Sequence, residues 1–507
     1  MANRVICDIP LNRVEGDLEI KVAVEDGRVV DAWSSGTMFR GFERMLVGRA
    51  PLDGLVITPR ICGICSLTHL TAAAKALDGI AGVAPPPNAG RLRNVALMAE
   101  TMQSDVRQSV LMHMNGFANV FHSGHDLYDQ AVARYASLAG ERSLDVVRQT
   151  KRIVEIIALI GGQWPHTSFM VPGGVVYAPP VSDILKCRNI LSQFRSWYEG
   201  TVLGCPTERW LEVDSRQALE AWLAESSRHR ESDVGFLIRF GLGAGLGNLG
   251  RGYDRFLSYG SLELPEGTTV AGTAGRLVAA GFAEGVTVEA FDQARIAEHV
   301  ASSWYRDYPG GRHPFDGETE PVPSGDEGGK YSWSKAPRYK GLAAETGPLA
   351  ERIVAGDPLF RDLIADGGAN ALVRQLARLT RPTTYFQAMD AWLGELIQRF
   401  GEPVYHHPGD LQDGEGIGLC QAARGALGHW VRIKDGRIAH YQIITPTAWN
   451  GAPRDSEGLR GPWEEALIGI PVSDPDNPAL LGHVVRSFDP CLVCTVHVVG
   501  ASGRRTL

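Results

Sequence analysis

A mainly helical α+β fold with small antiparallel β-sheets is what this sequence predicts, and three observations predict it. Apolar residues recur at helical spacing over long stretches: "RIVEIIALIGG" places Ile153, Ile156, Ile157 and Ile160 on one stripe, and Gly161-Gly162 ends it. Two other segments alternate in polarity around Asp-Gly, the turn chemistry of hairpins: "DLEIKVAVEDGRVVDAW" and "GHWVRIKDGRIAHYQIITP". The chain has 507 residues, 44% hydrophobic and 21% charged, a folded composition too long for one core, so two or three packed sub-regions are expected.

Taken in order, residues 1–60 read as the first hairpin and a loop, with Leu18, Ile20, Val22 and Val24 on one face. Residues 61–230 read as a helical core: an Ala-rich helix in "PRICGICSLTHLTAAAKALDG", helical patterning from Gly90 to Gly161, and helices near Asp183–Glu199 and Ser215–Ser227. Between 231 and 340 the chain turns Gly-rich, with short β-like runs over Val234–Val288, and reads as an irregular insertion. The loop "YPGGRHPFDGETEPVPSGDEGGKYSW" follows, of a length more typical of functional or partner-facing segments. Residues 341–497 return to helix at "TYFQAMDAWLGELIQRF", pass through the second hairpin, and end with "NPALLGHVVRSFD" as a last helix. Residues 498–507 are left as a tail.

Composition excludes several classes. A net charge of −8 gives no support for nucleic-acid binding, which needs concentrated Lys and Arg against phosphate. No apolar run approaches the roughly 18–20 residues that span a bilayer. The N-terminus, "MANRVICDIPLNRVEGD", scatters charges among apolar residues and lacks a signal-peptide core. The expectation is a chain with no export signal of its own, cytoplasmic or peripheral on the cytoplasmic face of a membrane.

Eight cysteines are too few and too scattered for a disulfide scaffold, yet four fall in Cys-x-x-Cys pairs: Cys62/Cys65 and, almost at the end, Cys491/Cys494 with His497 three residues on. Thiolate-rich coordination suits zinc, Cu(I), iron–sulfur or nickel–iron chemistry. Zinc modules use much tighter spacing than these two pairs have. Spacing alone leaves a catalytic thiolate-bound metal, a structural zinc and a thiol–disulfide pair open.

The flanking residues carry more. "RICGICSLTH" (Arg60 to His69) and "DPCLVCTVH" (Asp489 to His497) resemble the first and last cysteine signatures of nickel–iron hydrogenase large subunits. "RVEGDLEI", "TMFRGFE", "GGQWPHTSFMVPGGV", "KYSWSKAPRYKG", "AARGALGHW" and "PTAWNGAPRD" fall in the same family order, so the resemblance covers nearly the whole chain. It implies the fold of that family, with a central bundle of long helices. It also implies an uptake-type enzyme that splits H2 heterolytically into protons and electrons.

What the resemblance implies for single residues follows by motif position. Cys62 and Cys491 would be terminal on nickel, and Cys65 and Cys494 would bridge to an iron carrying carbon monoxide and cyanide. Glu15 matches a glutamate that relays protons, a task suited to a buried carboxyl whose pKa burial raises. Asp17 stands where the family usually has histidine, so the outer proton route is expected to differ. Arg424 would lie over the open face of the metals, with Asp489 as its partner and Asp105 as a second carboxylate. Ala423 precedes it where the family often has proline. Glu43, the backbone of Ile443 and His497 would bind a magnesium-type ion, which favours oxygen ligands and water. His69 would hydrogen-bond near a bridging sulfur, a supporting role. Sensory relatives commonly carry glutamine there, so histidine favours a turnover enzyme over a low-turnover hydrogen sensor of the same fold. His166 matches the family too, but reads equally well as a core histidine. A metal-free respiratory subunit of this fold is opposed by the presence of all four cysteines.

The same resemblance implies a maturation endopeptidase that removes "VVGASGRRTL" (Val498 to Leu507) after His497. With no further cysteine cluster to hold iron–sulfur clusters, electrons need a second protein, the family's small subunit. Higher assembly of such heterodimers is expected as well.

Overall fold

The computed structural model describes residues 5–491, apart from positions 15, 17, 274, 326, 410, 475 and 476. Three strands open it: β1 (Val5–Leu11), β2 (Leu18–Glu25) and β3 (Arg28–Gly36), antiparallel in that order. The expected β2–β3 hairpin turns at Asp26 and Gly27, both at positive φ (49° and 73°), as a two-residue turn between right-twisted strands requires. Strand β1, which pairs β2 along its whole length, was not foreseen.

Two short helices, α1 (Phe42–Leu46) and α2 (Asp53–Ile57), lead through a 3₁₀ turn at Thr58–Ile61 to Cys62. Helix α3 (Ser66–Ala81) starts directly after Cys65, and α4 (Pro87–Arg107) forms the axis of the bundle. Nearly every α4 side chain is buried, the signature of a central helix rather than an amphipathic surface one. Its charges are matched inside: Arg91 pairs with Glu395 at 2.7 Å and Arg93 with Asp78 at 2.6 Å. Helices Glu141–Ile153, Glu155–Gly161, Ala371–Thr380 and Phe386–Gln398 pack around it. The predicted isoleucine stripe is fully buried.

The second hairpin, Gly425–Lys434 with Arg437–Ile444, turns at Asp435-Gly436 as expected and gains a third strand, Gly414–Ala422. That strand lies on α3 so closely that a Cβ at Gly416 or Gly418 would sit 2.1 Å or 1.7 Å from the carbonyl oxygens of Ala76 and Ala72. Glycine is what lets this sheet meet the helix that begins at Cys65.

One expectation needs correction. Val234–Val288 is not irregular: Asp233–Gly243 is a helix, and Arg255–Glu263, Arg276–Glu284 and Thr287–Glu289 form an antiparallel sheet. Its glycines serve packing, since a Cβ at Gly281 would meet Val354 of the covering helix Pro348–Ala355 at 2.8 Å. The long Pro/Gly-rich loop is a loop for most of its length, with isolated bridges. The last predicted helix is present at Ala479–Ser487. Among the described residues, no helix is long and apolar enough to cross a membrane.

Candidate metal centre

Cys62 and Cys491 lie 429 residues apart in the chain, and their sulfurs approach to 3.6 Å, far beyond a disulfide bond. Cys65 joins them: the three sulfurs all fall within 4.8 Å of one another, in full burial. Cys494, His497, Glu15 and the tail 498–507 lie outside the described residues.

Each sulfur is delivered by a different local device. Cys62 is extended after the 3₁₀ turn, where Arg40 Nη2 donates to the carbonyl of Ile61. Cys65 occupies the residue before α3, so the partial positive charge of the helix N-terminus favours its thiolate. Cys491 follows Asp489 and Pro490 off the last helix, and its N–H donates to Thr447 Oγ1 at 3.0 Å. Asp489 has φ 60°, a left-handed backbone that a non-glycine residue adopts only when its surroundings enforce it.

Those surroundings are arginines. Asp489 Oδ1 lies 3.1 Å from Arg424 Nε, and its Oδ2 accepts from Arg378 Nη1 at 3.1 Å. Arg424 sits at the tip of the turn Ala423-Arg424, which joins strands Gly414–Ala422 and Gly425–Lys434. The carbonyl of Ala423 accepts from Arg381 Nη2 at 2.6 Å and from Arg378 Nη1 at 3.1 Å. Burial alone would lower the pKa of Arg424, but Asp489 and the sulfurs of Cys491, Cys65 and Cys62 hold it firmly charged. Its Nη1 is buried with no hydrogen-bond partner among the described residues. A buried donor left over beside three sulfurs fits a ligand sphere that still has an acceptor to add.

Asp105 takes a different place from Asp489. Arg381 grips both its oxygens, at 2.6 and 2.8 Å, and Arg378 stands 3.7 Å away. It therefore sets the two guanidiniums that fix the Ala423 carbonyl, one step behind Arg424. Arg378 and Arg381 were not singled out in the sequence.

His69 is buried, with Nδ1 3.1 Å from His429 Nε2, while His429 Nδ1 meets Tyr441 Oη at 2.9 Å. Burial lowers His69 to about 4, against the pull of Cys62. Its Nε2 has no partner among the described residues. His166 is half-buried rather than core: its ring meets the Pro59 carbonyl at 2.9 Å and its N–H donates to Ser66 Oγ at 3.2 Å, bracing the first cysteine loop.

A second, oxygen-rich site adjoins the sulfurs. Glu43 Oε1 accepts from the N–H of Ile443 at 2.9 Å, and Oε2 accepts from the hydroxyl of Thr319. A cavity of about 50 Å³ between Glu43, Ile443, Glu298 and Lys335 has room for a small ion or water. Lys335 donates to Thr319 at 2.9 Å, and Gln442 to Glu298 at 2.7 Å. Burial first, then Glu43, raise Glu298 to about 7, and Lys335 opposes them. A carboxylate pair in one enclosed space, offset by a single ammonium, suits a hard cation. Glu298 and Lys335 were missed, although Lys335 lies inside the string "KYSWSKAPRYKG".

The comparisons with known proteins agree with this geometry. The sequence profile of the nickel-dependent hydrogenase family matches residues 40–114 and 242–497. The chain is 34% identical to the large subunit of a periplasmic [NiFeSe] hydrogenase from Desulfomicrobium baculatum, over 97% of this chain and 94% of that one. It is 30% identical to an uptake hydrogenase large subunit from Rhizobium leguminosarum bv. viciae, over 99% and 96%. Among solved structures it superposes on a [NiFeSe] hydrogenase of Dm. baculatum with TM-score 0.82 at 31% identity, covering 98% of this chain and 100% of that one. A Ni-Fe-Se hydrogenase from D. vulgaris Hildenborough, at TM-score 0.81, 30% identity and the same coverage, matches as well.

Proposed function

This chain belongs to the nickel-dependent hydrogenase family, and from that premise we propose that it is the catalytic large subunit of a nickel–iron hydrogenase, converting H2 to protons and electrons. The observation that carries the reading is the 3.6 Å approach of Cys62 and Cys491 from opposite ends of the chain, with Cys65 beside them. Cys62, Cys65, Cys491 and Cys494 would hold nickel, with Cys65 and Cys494 shared with an iron that bears carbon monoxide and cyanide. When bound, this pair supplies the soft, redox-active centre on which H2 is polarised and cleaved.

The chain's own groups have distinct tasks. Arg424, kept charged by Asp489, aims its unpartnered Nη1 into the site, where it would hydrogen-bond a cyanide nitrogen. Asp105 positions the arginines behind it. His69, whose Nε2 has no partner among the described residues, would donate from it toward a metal-bound sulfur. Glu15 would accept the released proton. Glu43 and Ile443, with His497, would bind magnesium. A wide groove of about 1360 Å³ beside α3 shares no residue with the sulfur site, and a diatomic substrate needs no such pocket.

The similar chains are large subunits by name, and electrons leaving a buried thiolate-held site need a partner, so an iron–sulfur small subunit completes the enzyme. The family match stops at residue 497. That supports removal of Val498 to Leu507 by a maturation endopeptidase, after which the last segment closes over the metals. Association of the heterodimers into larger assemblies is part of the same proposal.

Infrared spectroscopy of the purified heterodimer, with nickel analysis, intact mass and steady-state H2 oxidation, tests the reading. Carbon monoxide and cyanide stretches, one nickel per chain, a terminus at His497 and sustained turnover are expected. Bands with negligible turnover would make the chain a hydrogen sensor. Absence of nickel and of the bands in matured protein would overturn the proposal.

A further inference from the structure

A buried polar seam leaves the metal centre on the side of Asp489 and runs through an otherwise apolar bundle. Helix α4 ends in a π-helical turn, Gln108–His113, and such turns re-aim side chains and concentrate at functional sites. From α4 into this turn, Asp105, Gln108, Ser109 and His113 are all fully buried. Gln375, from the helix Ala371–Thr380 that also carries Arg378, donates to Gln108 Oε1 at 3.0 Å and accepts from Ser109 Oγ at 3.4 Å. Gln108 in turn donates to the carbonyl of Arg486 at 2.5 Å.

The seam then becomes imidazole. The rings of His113 and His483 lie 5.1 Å apart between centroids, and His483 Nε2 is 3.1 Å from His122 Nε2. Both nitrogens of His113 and Nδ1 of His483 are buried without a hydrogen-bond partner among the described residues. Phe117 and Phe240 pack on these rings, and buried nitrogens without partners call for water, which between imidazoles makes a proton conductor. His122 is 6% exposed and marks the mouth, with His125 stacked on Phe240 at 4.1 Å beside it. Among the described residues only the sulfur cluster brings three metal-binding donors within 4.8 Å of one another, so the imidazoles are not read as a metal site.

We propose that His113, His483 and His122 form a proton relay between the seam beside the metal centre and the protein surface, separate from any path through Glu15. The inference rests on the hydrogenase reading, since H2 oxidation is what supplies the protons. Each transfer balances: His483 takes a proton on Nδ1 and gives the one on Nε2 to His122 Nε2, and His122 releases its Nδ1 proton to solvent. Both rings then carry their proton on the opposite nitrogen, so His483 turns over and His122 exchanges with water before the next proton enters. Burial lowers all three imidazoles, helped by Arg13 and Arg486 at His113 and His483, by Arg378 at His113 and by His125 at His122, so the rings rest neutral.

The test uses the purified heterodimer with two variants, His483→Phe and His122→Ala. Wild-type turnover and carbonyl and cyanide bands are read first; their absence would count against the hydrogenase reading itself and not against the relay. Given them, both variants are expected to keep the bands while H2 oxidation falls about tenfold or more. Added imidazole should restore His122→Ala, whose site opens to solvent, which a packing defect would not allow. Wild-type turnover in His122→Ala, or a loss that imidazole leaves unrepaired, overturns the proposal. If His483→Phe fails to acquire metals, the His122→Ala rescue decides alone.

Discussion

The imidazoles of His69 and His429 meet nitrogen to nitrogen, Nδ1 to Nε2, at 3.1 Å. Burial keeps both neutral, so one nitrogen of the pair must donate and the other accept. The far nitrogen of His429 faces the hydroxyl of Tyr441 at 2.9 Å. If that hydroxyl donates, His429 carries its proton on Nε2, and His69 is left with an N–H on Nε2. A metal-bound thiolate accepting from His69, as proposed above, would select this arrangement.

Tyr441→Phe removes the group that sets the tautomers while leaving the ring in its packing. The expected result is a drop in H2 oxidation of up to roughly tenfold, with displaced carbonyl and cyanide bands at unchanged nickel content. Bands and turnover identical to wild type would mean the chain of rings does not orient His69.

Asp489 holds two guanidiniums, Arg378 and Arg424, on its two oxygens. Asp489→Asn would leave that buried positive charge undercompensated, a loss on the order of 3–5 kcal/mol in stability. Arg424→Lys should behave differently. Lysine keeps the charge but lacks the planar fork that faces Asp489 and still presents Nη1. Folding and nickel content should survive in Arg424→Lys, and H2 oxidation should fall by about a hundredfold. Thermal unfolding and steady-state assays on the two variants separate the roles.

Hairpins were legible because their information is local: Asp26-Gly27 and Asp435-Gly436 specify turns whatever surrounds them. Strand β1 and Gly414–Ala422 were not, because they become strands by pairing with an existing hairpin. The sheet around Gly260 and Gly281 was misread as irregular for a related reason. There glycine answers to neighbours, since Cβ atoms would strike Arg276 and Val354 at 2.6 and 2.8 Å, and sequence periodicity does not register neighbours. Within the site, the cysteines announced themselves by spacing and flanks. Arg378, Arg381, Glu298 and Lys335 did not, because a buried charge becomes recognisable only beside its counter-charge.

Glu43 joins the oxygen-rich cavity to the sheet through the N–H of Ile443. Glu43→Gln keeps a carbonyl for that hydrogen bond and removes the negative charge. If magnesium binds there as proposed, the variant should purify with less than one magnesium per heterodimer, and added magnesium should stabilise wild type but not the variant, by about 2.7 kcal/mol at a hundredfold excess over Kd. Full magnesium occupancy in Glu43→Gln would remove this carboxylate from the ligand set.

Glu100 gives the clearest pH dependence. Its carboxyl is wholly buried and accepts from the N–H groups of Leu67 and Thr68 at 2.9 and 3.0 Å and from the Thr68 hydroxyl at 2.8 Å, closing the first turn of α3 just after Cys65. Burial raises its pKa to about 7, although those hydrogen bonds pull the other way. Because the folded value lies above the ordinary value of 4.5, the fold binds this proton more tightly than the unfolded chain does. Stability from this group is complete below pH about 4.5, declines as pH rises, and levels off above about 7. Across that window the loss is at most about 3 kcal/mol. Glu100→Gln keeps one acceptor oxygen but turns its amide NH2 toward the N–H of Leu67 or of Thr68, so it should be less stable than wild type near pH 4.5, and the deficit should shrink by pH 8, where wild type carries the buried charge. Denaturant titrations of both proteins at the two pH values measure the difference, and parallel pH profiles would show that folding does not raise the Glu100 pKa.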